Sequence, residues 1–121
     1  MSHTHLPHDH GKNTDQLVQH MPRTEDFLML SETFRQLSDG TRLRLFWLLC
    51  HCEECVTNLA AMMQMSAPAL SHHLRMLKEA GLICSRREGK EVYYTATGSA
   101  KTGILHSALE DLMAITCPME K

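Results

Sequence analysis

After Gly81 the apolar pattern of this chain changes period, and that change constrains the fold more than any other feature. Upstream, Leu70, Leu74 and Leu77 recur at helical spacing. Downstream, Leu82–Arg87 and Glu91–Thr95 alternate as strands do, on either side of Glu88-Gly89-Lys90. That is a hairpin signal. The upstream helix has marked ends. Ser66 caps its start, Pro68 is tolerated in a first turn where its missing N–H had no partner, and Gly81 stops it.

The rest of the chain reads as helix. Thr24-Glu25-Asp26 opens a first helix, with Thr24 as cap and the acids on the positive end of the dipole; Phe27, Leu30, Phe34 and Leu37 give it one apolar face. Ser38-Asp39-Gly40 stops it. A second helix, about Thr41 to Leu49, is apolar nearly all round and so expected to be buried. A short third helix, about Asn58 to Met63, is capped by Thr57. The helix over Ser66–Gly81 is the fourth. Gly98-Ser99 opens a last one, with Ile104, Leu105, Ala108, Leu109, Leu112 and Ile115 as its stripe and Pro118 as its end. The expected fold is mainly α with a small β-hairpin wing: a winged helix-turn-helix with five helices in the order ααααββα. Residues 1–23 carry no apolar periodicity and read as a disordered, His-rich tail ahead of a 24–118 domain.

Charge is distributed unevenly. The chain carries a net −2, yet between Ser66 and Lys90 five cations (Arg75, Lys78, Arg86, Arg87, Lys90) meet only two anions (Glu79, Glu88), a local +3. A basic segment in an acidic protein is the footprint of a localised phosphate contact. A helix fits the major groove and meets base edges with its first turns, while a hairpin can lie along the backbone. Ser66, Ala69, Ser71, His72, Arg75 and Lys78 on the fourth helix, with Arg86, Arg87 and Lys90 on the hairpin, are therefore the candidate DNA-binding residues. No stretch has the ~18–20 apolar residues of a membrane span, and no basic segment leads into an apolar one as in a signal peptide. A cytoplasmic protein is expected, with five cysteines that point to metal or redox chemistry before structural disulfides.

Cys50-His51-Cys52-Glu53-Glu54-Cys55 crowds soft and borderline ligands into six residues. Cys52 and Cys55 have a spacing that lets two thiolates face one ion, and His51, Glu53 or Glu54 could complete the site. Such a set favours thiophilic ions, zinc, cadmium, Cu(I) or As(III), over magnesium or calcium. Cys117 is a further candidate thiolate, from the same or a partner subunit. Cys50 continues the Leu43, Phe46, Trp47 spacing and reads as core; Cys84 reads as strand packing. His3, His5, His8, Asp9 and His10 form either a metal-prone tract or a solvated tail. Cys52-x-x-Cys55 also admits a redox reading, as a sensor of oxidants or reactive sulfur. A thiol oxidoreductase is disfavoured because no βαβ pattern precedes the motif, and no enzymatic activity is expected.

Three segments resemble one family. Leu37-Ser-Asp-Gly-Thr-Arg-Leu-Arg-Leu resembles the ArsR/SmtB opening of the second helix, L-(S/A)-D-(P/G)-T-R-L-R-I. Ser71-His-His-Leu-Arg-Met-Leu-Lys-Glu-Ala-Gly-Leu-Ile is similar to the recognition-helix signature S-x-H-L-x-x-L-x-x-A-G-L-(I/V), and Arg86-Arg-Glu-Gly-Lys-Glu-Val-Tyr-Tyr to the wing. The resemblance covers about residues 25–115. It implies a homodimer packed through the first and last helices, an inverted-repeat double-stranded operator, and repression until an inducer binds, with no metal required for DNA binding itself. The chain departs from the family's effector sites. The thiolate motif C-V-C falls on Cys55-Val56-Thr57, with one cysteine kept. The last-helix ligand positions fall on Gly98, Ala100, Asp111 and Ala114, although His106 and Glu110 sit nearby on the same helix face.

Overall fold

The computed structural model describes residues 6–114. The chain falls into two compact units that divide between Ser31 and Glu32. The first contains α1 (Thr14–Gln19) and the opening of α2 (Thr24–Gln36). The second contains the end of α2, then α3 (Gly40–Leu49), β1 (Glu54–Cys55), α4 (Val56–Met63), α5 (Ala67–Glu79), β2 (Ile83–Glu88), β3 (Glu91–Ala96) and α6 (Ala100–Met113). The winged helix-turn-helix expected from the sequence is present. No described helix is long and apolar enough to cross a membrane.

Among the described residues two elements were not anticipated, a helix and a strand, so six helices stand where five were expected. α1 lies within the stretch read as a disordered tail. It buries no residue, so no apolar spacing announced it. β1 is a two-residue strand that exists only by pairing with β3, Glu54 opposite Tyr94 and Cys55 opposite Tyr93. The sheet order is β1-β3-β2, antiparallel throughout. α4 also starts at Val56, two residues before the expected Asn58, with Cys55 and not Thr57 as its N-cap. The Glu54 carboxylate braces this start from outside the helix: Oε1 accepts the Cys55 N–H at 3.0 Å and an Asn58 Nδ2–H at 2.9 Å.

The core sits where α3, α4 and α5 meet the hairpin. Leu45, Phe46, Leu49, Leu59, Leu70, Leu77 and Leu82 are fully buried, and Leu74 nearly so. Asp39 fixes the start of α3 by accepting the Arg42 N–H at 2.9 Å, and Ser99 fixes α6 by accepting the Thr102 N–H at 3.2 Å. α5 ends in a Schellman turn: Gly81 takes φ +76°, its N–H meets the Lys78 carbonyl at 3.0 Å, and the Leu82 N–H meets the Leu77 carbonyl at 3.1 Å. This delivers Leu82 into the core and starts β2. Thr95 Oγ1 lies 3.2 Å from the Leu49 carbonyl and 2.9 Å from that of Cys52, tying β3 to the end of α3.

Among the described residues, two expected apolar faces stay largely exposed. On α2, Phe27, Leu30 and Phe34 are half exposed and only Leu37 packs against the core, while Thr33 and Gln36 are the residues buried. On α6, Leu109 is buried and Leu105 partly so, but Ile104 is 69 % and Leu112 87 % exposed. Ile115, Cys117 and Pro118, like His3 and His5, lie outside the described residues.

Truncating the stripe that seats α5 should be costly. Leu74→Ala is expected to destabilise the protein by about 2–5 kcal/mol, measured by denaturant unfolding. A loss below about 1 kcal/mol would contradict the buried position given to this side chain.

Candidate nucleic-acid interface and effector residues

Burial of Leu70, Leu74 and Leu77 turns the opposite side of α5 outward. Ser66, Ala69, Ser71, His72, Arg75 and Lys78 are all exposed. α4 ends with Gln64 in the left-handed region at φ +55°, and Met65 N–H closes the turn on the Ala60 carbonyl at 3.1 Å. This tight turn leads straight to Ser66, whose Oγ accepts the Ala69 N–H at 3.3 Å. Arg75 lies one helical turn from His72, its Nη2 3.1 Å from His72 Nδ1. The outward face therefore presents hydroxyls, an imidazole and a guanidinium on a rigid, capped helix.

His73 behaves differently from its neighbour. It is half buried, and its Nδ1 accepts a hydrogen bond from Arg42 Nε at 3.3 Å. Burial, reinforced by the Arg42 charge, pushes its pKa below the usual histidine value. Arg42 also donates to the Gln36 side chain at 2.8 Å and its carbonyl at 3.3 Å. Sequence reasoning missed this cluster, which joins the end of α2, the start of α3 and the middle of α5.

On the wing, Glu88 pairs with Glu91 across the two-residue turn Gly89-Lys90, and Gly89 takes φ +63° as the first turn position requires. Arg86, Arg87 and Lys90 are all exposed, but they are not equivalent. Arg86 donates to Glu53 at 2.8 Å and Glu88 at 2.5 Å, and its guanidinium stands 4.7 Å above the Tyr93 ring. It braces the wing against the connector before β1. Lys78 donates to Ser85 at 2.7 Å, bracing α5 against β2. Arg87 and Lys90 stay at the tip.

Cys52, Cys55 and Cys84 are free thiols. Cys55 is buried at the start of α4, Cys50 and Cys52 are half buried, and Cys84, expected as strand packing, is exposed. Burial, aided by the Glu54 charge, pushes the Cys52 thiol up. His51 is drawn elsewhere. Its Nε2 lies 3.0 Å from His106 Nε2 and 3.3 Å from Glu110 Oε2, and His106 Nε2 lies 3.1 Å from the same oxygen. Trp47 Nε1–H donates to that oxygen at 3.0 Å. Burial would raise the Glu110 pKa, but the Trp47 hydrogen bond and the two imidazoles outweigh it and hold the carboxyl below the usual range. Among the described residues this is the single group of three side chains placed to share an ion, and it does not include Cys52 or Cys55. The i, i+4 spacing of His106 and Glu110 was visible in the sequence; that His51 faces them was not.

A family model described as "Bacterial regulatory protein, arsR family" matches residues 39–85, the stretch from the Asp39 cap through the start of the wing. The chain belongs to this family. Its relatives include the transcriptional repressor SmtB homolog of Synechocystis sp., 46% identical over 66 residues, 54% of this chain and 50% of that protein. The arsenical resistance operon repressor of Escherichia coli is 41% identical over 69 residues, 56% of this chain and 59% of that protein. The transcriptional repressor SdpR of Bacillus subtilis is 33% identical over 66 residues, 54% of this chain and 73% of that protein. The match thus spans about half the length of the first two. Among solved structures, the homodimeric winged helix-turn-helix domain Mb0332 of Mycobacterium bovis superposes with a TM-score of 0.68 at 26% identity, over 78% of this chain and 87% of that one. The arsR family is one of regulators, not enzymes.

The Asp39 cap sets a pH dependence. The Arg42 N–H bond, which outweighs the opposing effect of burial, holds the Asp39 carboxyl below its usual pKa. The carboxylate's contribution is therefore fully present above the ordinary aspartate value of ~3.9 and is lost as pH falls through its lower folded value. The stability gap between the wild type and Asp39→Asn should narrow from about pH 5 to about pH 2. A gap that stays constant in thermal melts over that range would contradict the capping role.

Proposed function

We propose that this protein is a homodimeric transcriptional repressor that binds double-stranded operator DNA through α5 and the wing and is released by a metal or metalloid ion. One observation carries the reading. The side of α5 opposite its buried leucines is polar and cationic, and a basic hairpin follows it at once. Ser66, Ala69, Ser71, His72 and Arg75 would meet base edges and phosphates in the major groove, with Lys78 at the helix end. Arg87 and Lys90 would meet the backbone, and Arg86 would hold the wing in shape while adding to its field.

The uncovered apolar residues of α2 and α6 support a second copy as partner, since a monomer in water gains nothing from displaying Phe27, Phe34 and Leu112. Two-fold pairing would present two reading helices to an inverted repeat. For the inducer, support comes from the names of relatives such as the arsenical resistance operon repressor and from the thiols gathered between α3 and α4. Cys52 and Cys55, with Cys117 beyond the described residues, would take a thiophilic ion such as zinc or cadmium, at the point where the chain enters the helix-turn-helix.

Fluorescence anisotropy of the metal-free protein on its own upstream DNA tests this. Binding should weaken with salt, and Arg75→Ala or Lys90→Ala should each flatten the log–log salt slope by about 0.9 per lost phosphate contact. Saturating zinc or cadmium should reduce affinity by about 5–150-fold. Affinity no greater for upstream DNA than for bulk DNA at the same salt would overturn the reading.

A further inference from the structure

Three lone-pair-bearing atoms converge between the end of α3 and one face of α6: His51 Nε2, His106 Nε2 and Glu110 Oε2. Their separations are 3.0, 3.3 and 3.1 Å. Donors at the corners of a tetrahedron around an ion with bonds of about 2.0–2.1 Å lie about 3.3–3.4 Å apart, so the triangle already has nearly the size of one face of that tetrahedron.

Protons cannot satisfy this arrangement. Each imidazole–carboxylate edge needs a hydrogen on that imidazole's Nε2. The imidazole–imidazole edge needs one Nε2 to be bare. No assignment of one hydrogen per nitrogen serves all three edges, whereas one cation serves all three lone pairs at once. The surroundings are those of a ligand site. The side chains of His51, Glu110 and His106 are 7, 10 and 22 % exposed. Trp47 Nε1–H holds the shared carboxylate oxygen at 3.0 Å, and its indole lies 4.5 Å from the His51 ring. A hydrogen-bond donor on a ligating carboxylate is the usual outer support of a metal ligand.

We propose that His51, His106 and Glu110 form a site for a first-row divalent cation of the zinc class, within one protomer, distinct from the Cys52/Cys55 thiols and outside the last-helix ligand positions that Gly98, Ala100, Asp111 and Ala114 occupy. Two nitrogens and one oxygen suit zinc, cobalt(II) or nickel(II) better than arsenite, which seeks thiolates. Three protein ligands leave a fourth position for water. The ion would pin the first residue after α3's cap to α6. His51 begins the connector that runs through Glu53, the partner of Arg86, into β1 and α4. Resting on the repressor reading above, the site gives an inducing ion a direct link between α6, whose outer face awaits a partner, and the start of the reading head.

Trp47 is the chain's sole tryptophan, so it reports on the site in the intact protein. Full-length, metal-free protein is titrated with Co²⁺, following Trp47 fluorescence and the visible absorption. Saturable quenching with d–d bands of a four-coordinate ion is expected. Cys52→Ser/Cys55→Ser should keep both signals, without thiolate-to-cobalt charge transfer. His106→Gln and Glu110→Gln should each weaken binding by about 100-fold or more, and Trp47→Phe, followed by absorption, by about 10-fold. Thermal melts of the metal-free variants identify any that fail to fold, and the spectra of the wild type and the cysteine variant then decide. Absence of saturable Trp47 quenching would overturn the site. So would quenching that survives in folded His106→Gln and Glu110→Gln but vanishes with the cysteines. DNA binding by the metal-free protein is read separately, so its loss would overturn the repressor and leave the site standing.

Discussion

Burying Leu70, Leu74 and Leu77 on one side of α5 fixes the rotation of that helix about its axis, and the rest of the structure depends on it. With the leucines inward, Ser71, His72 and Arg75 have only the outward direction left. A rotation of one residue, about 100°, would carry the polar face into the core. The ends of the helix are fixed as firmly. Gln64 in the left-handed region and the Ser66 cap set its start, and Gly81 with the Leu82 anchor sets its end. A helix held at both ends and along one side can present side chains to a partner with little ordering cost on binding.

Polar contacts then connect this rigid unit to its surroundings. Arg42 reaches from α3 to Gln36 and His73, Arg86 reaches from the wing to Glu53, and Thr95 hangs β3 on the end of α3. The connector between α3 and α4 is the meeting point: it holds His51, Cys52, Glu53 and Cys55 and touches α6, the wing and α4. The exposed apolar residues of α2 and α6 stand apart from these contacts.

The outward face of α5 and the wing were legible in the sequence because their physics is local. Helical spacing places the leucines, a cap and a glycine bound the helix, and a two-residue turn defines the wing. All nine residues singled out for DNA contact are exposed. What escaped the sequence depends on distant pairs. β1 forms only because Tyr93 and Tyr94 offer an edge. Arg86 looked like a free cation until Glu53, distant in sequence, proved to lie beside it. The surroundings of His51 escaped for the same reason. Proximity in sequence grouped His51 with the cysteines, while the packing of α6 beside α3 gave it to His106 and Glu110. The apolar spacing of α2 marks a stripe, but spacing cannot say what covers it: the structure buries Thr33 and Gln36 and leaves Phe27, Leu30 and Phe34 half exposed.

The central claim is that one face of α5, together with the wing tip, is the surface that meets DNA. A two-dimensional amide NMR titration of the isotope-labelled protein with its upstream duplex tests this most directly. The account predicts the largest shift changes and line broadening at the start and outer face of α5, from Ser66 to Lys78, and at Arg87 to Lys90, with little change at α1. Changes centred on α6 or α1, with the outer residues of α5 undisturbed, would contradict it.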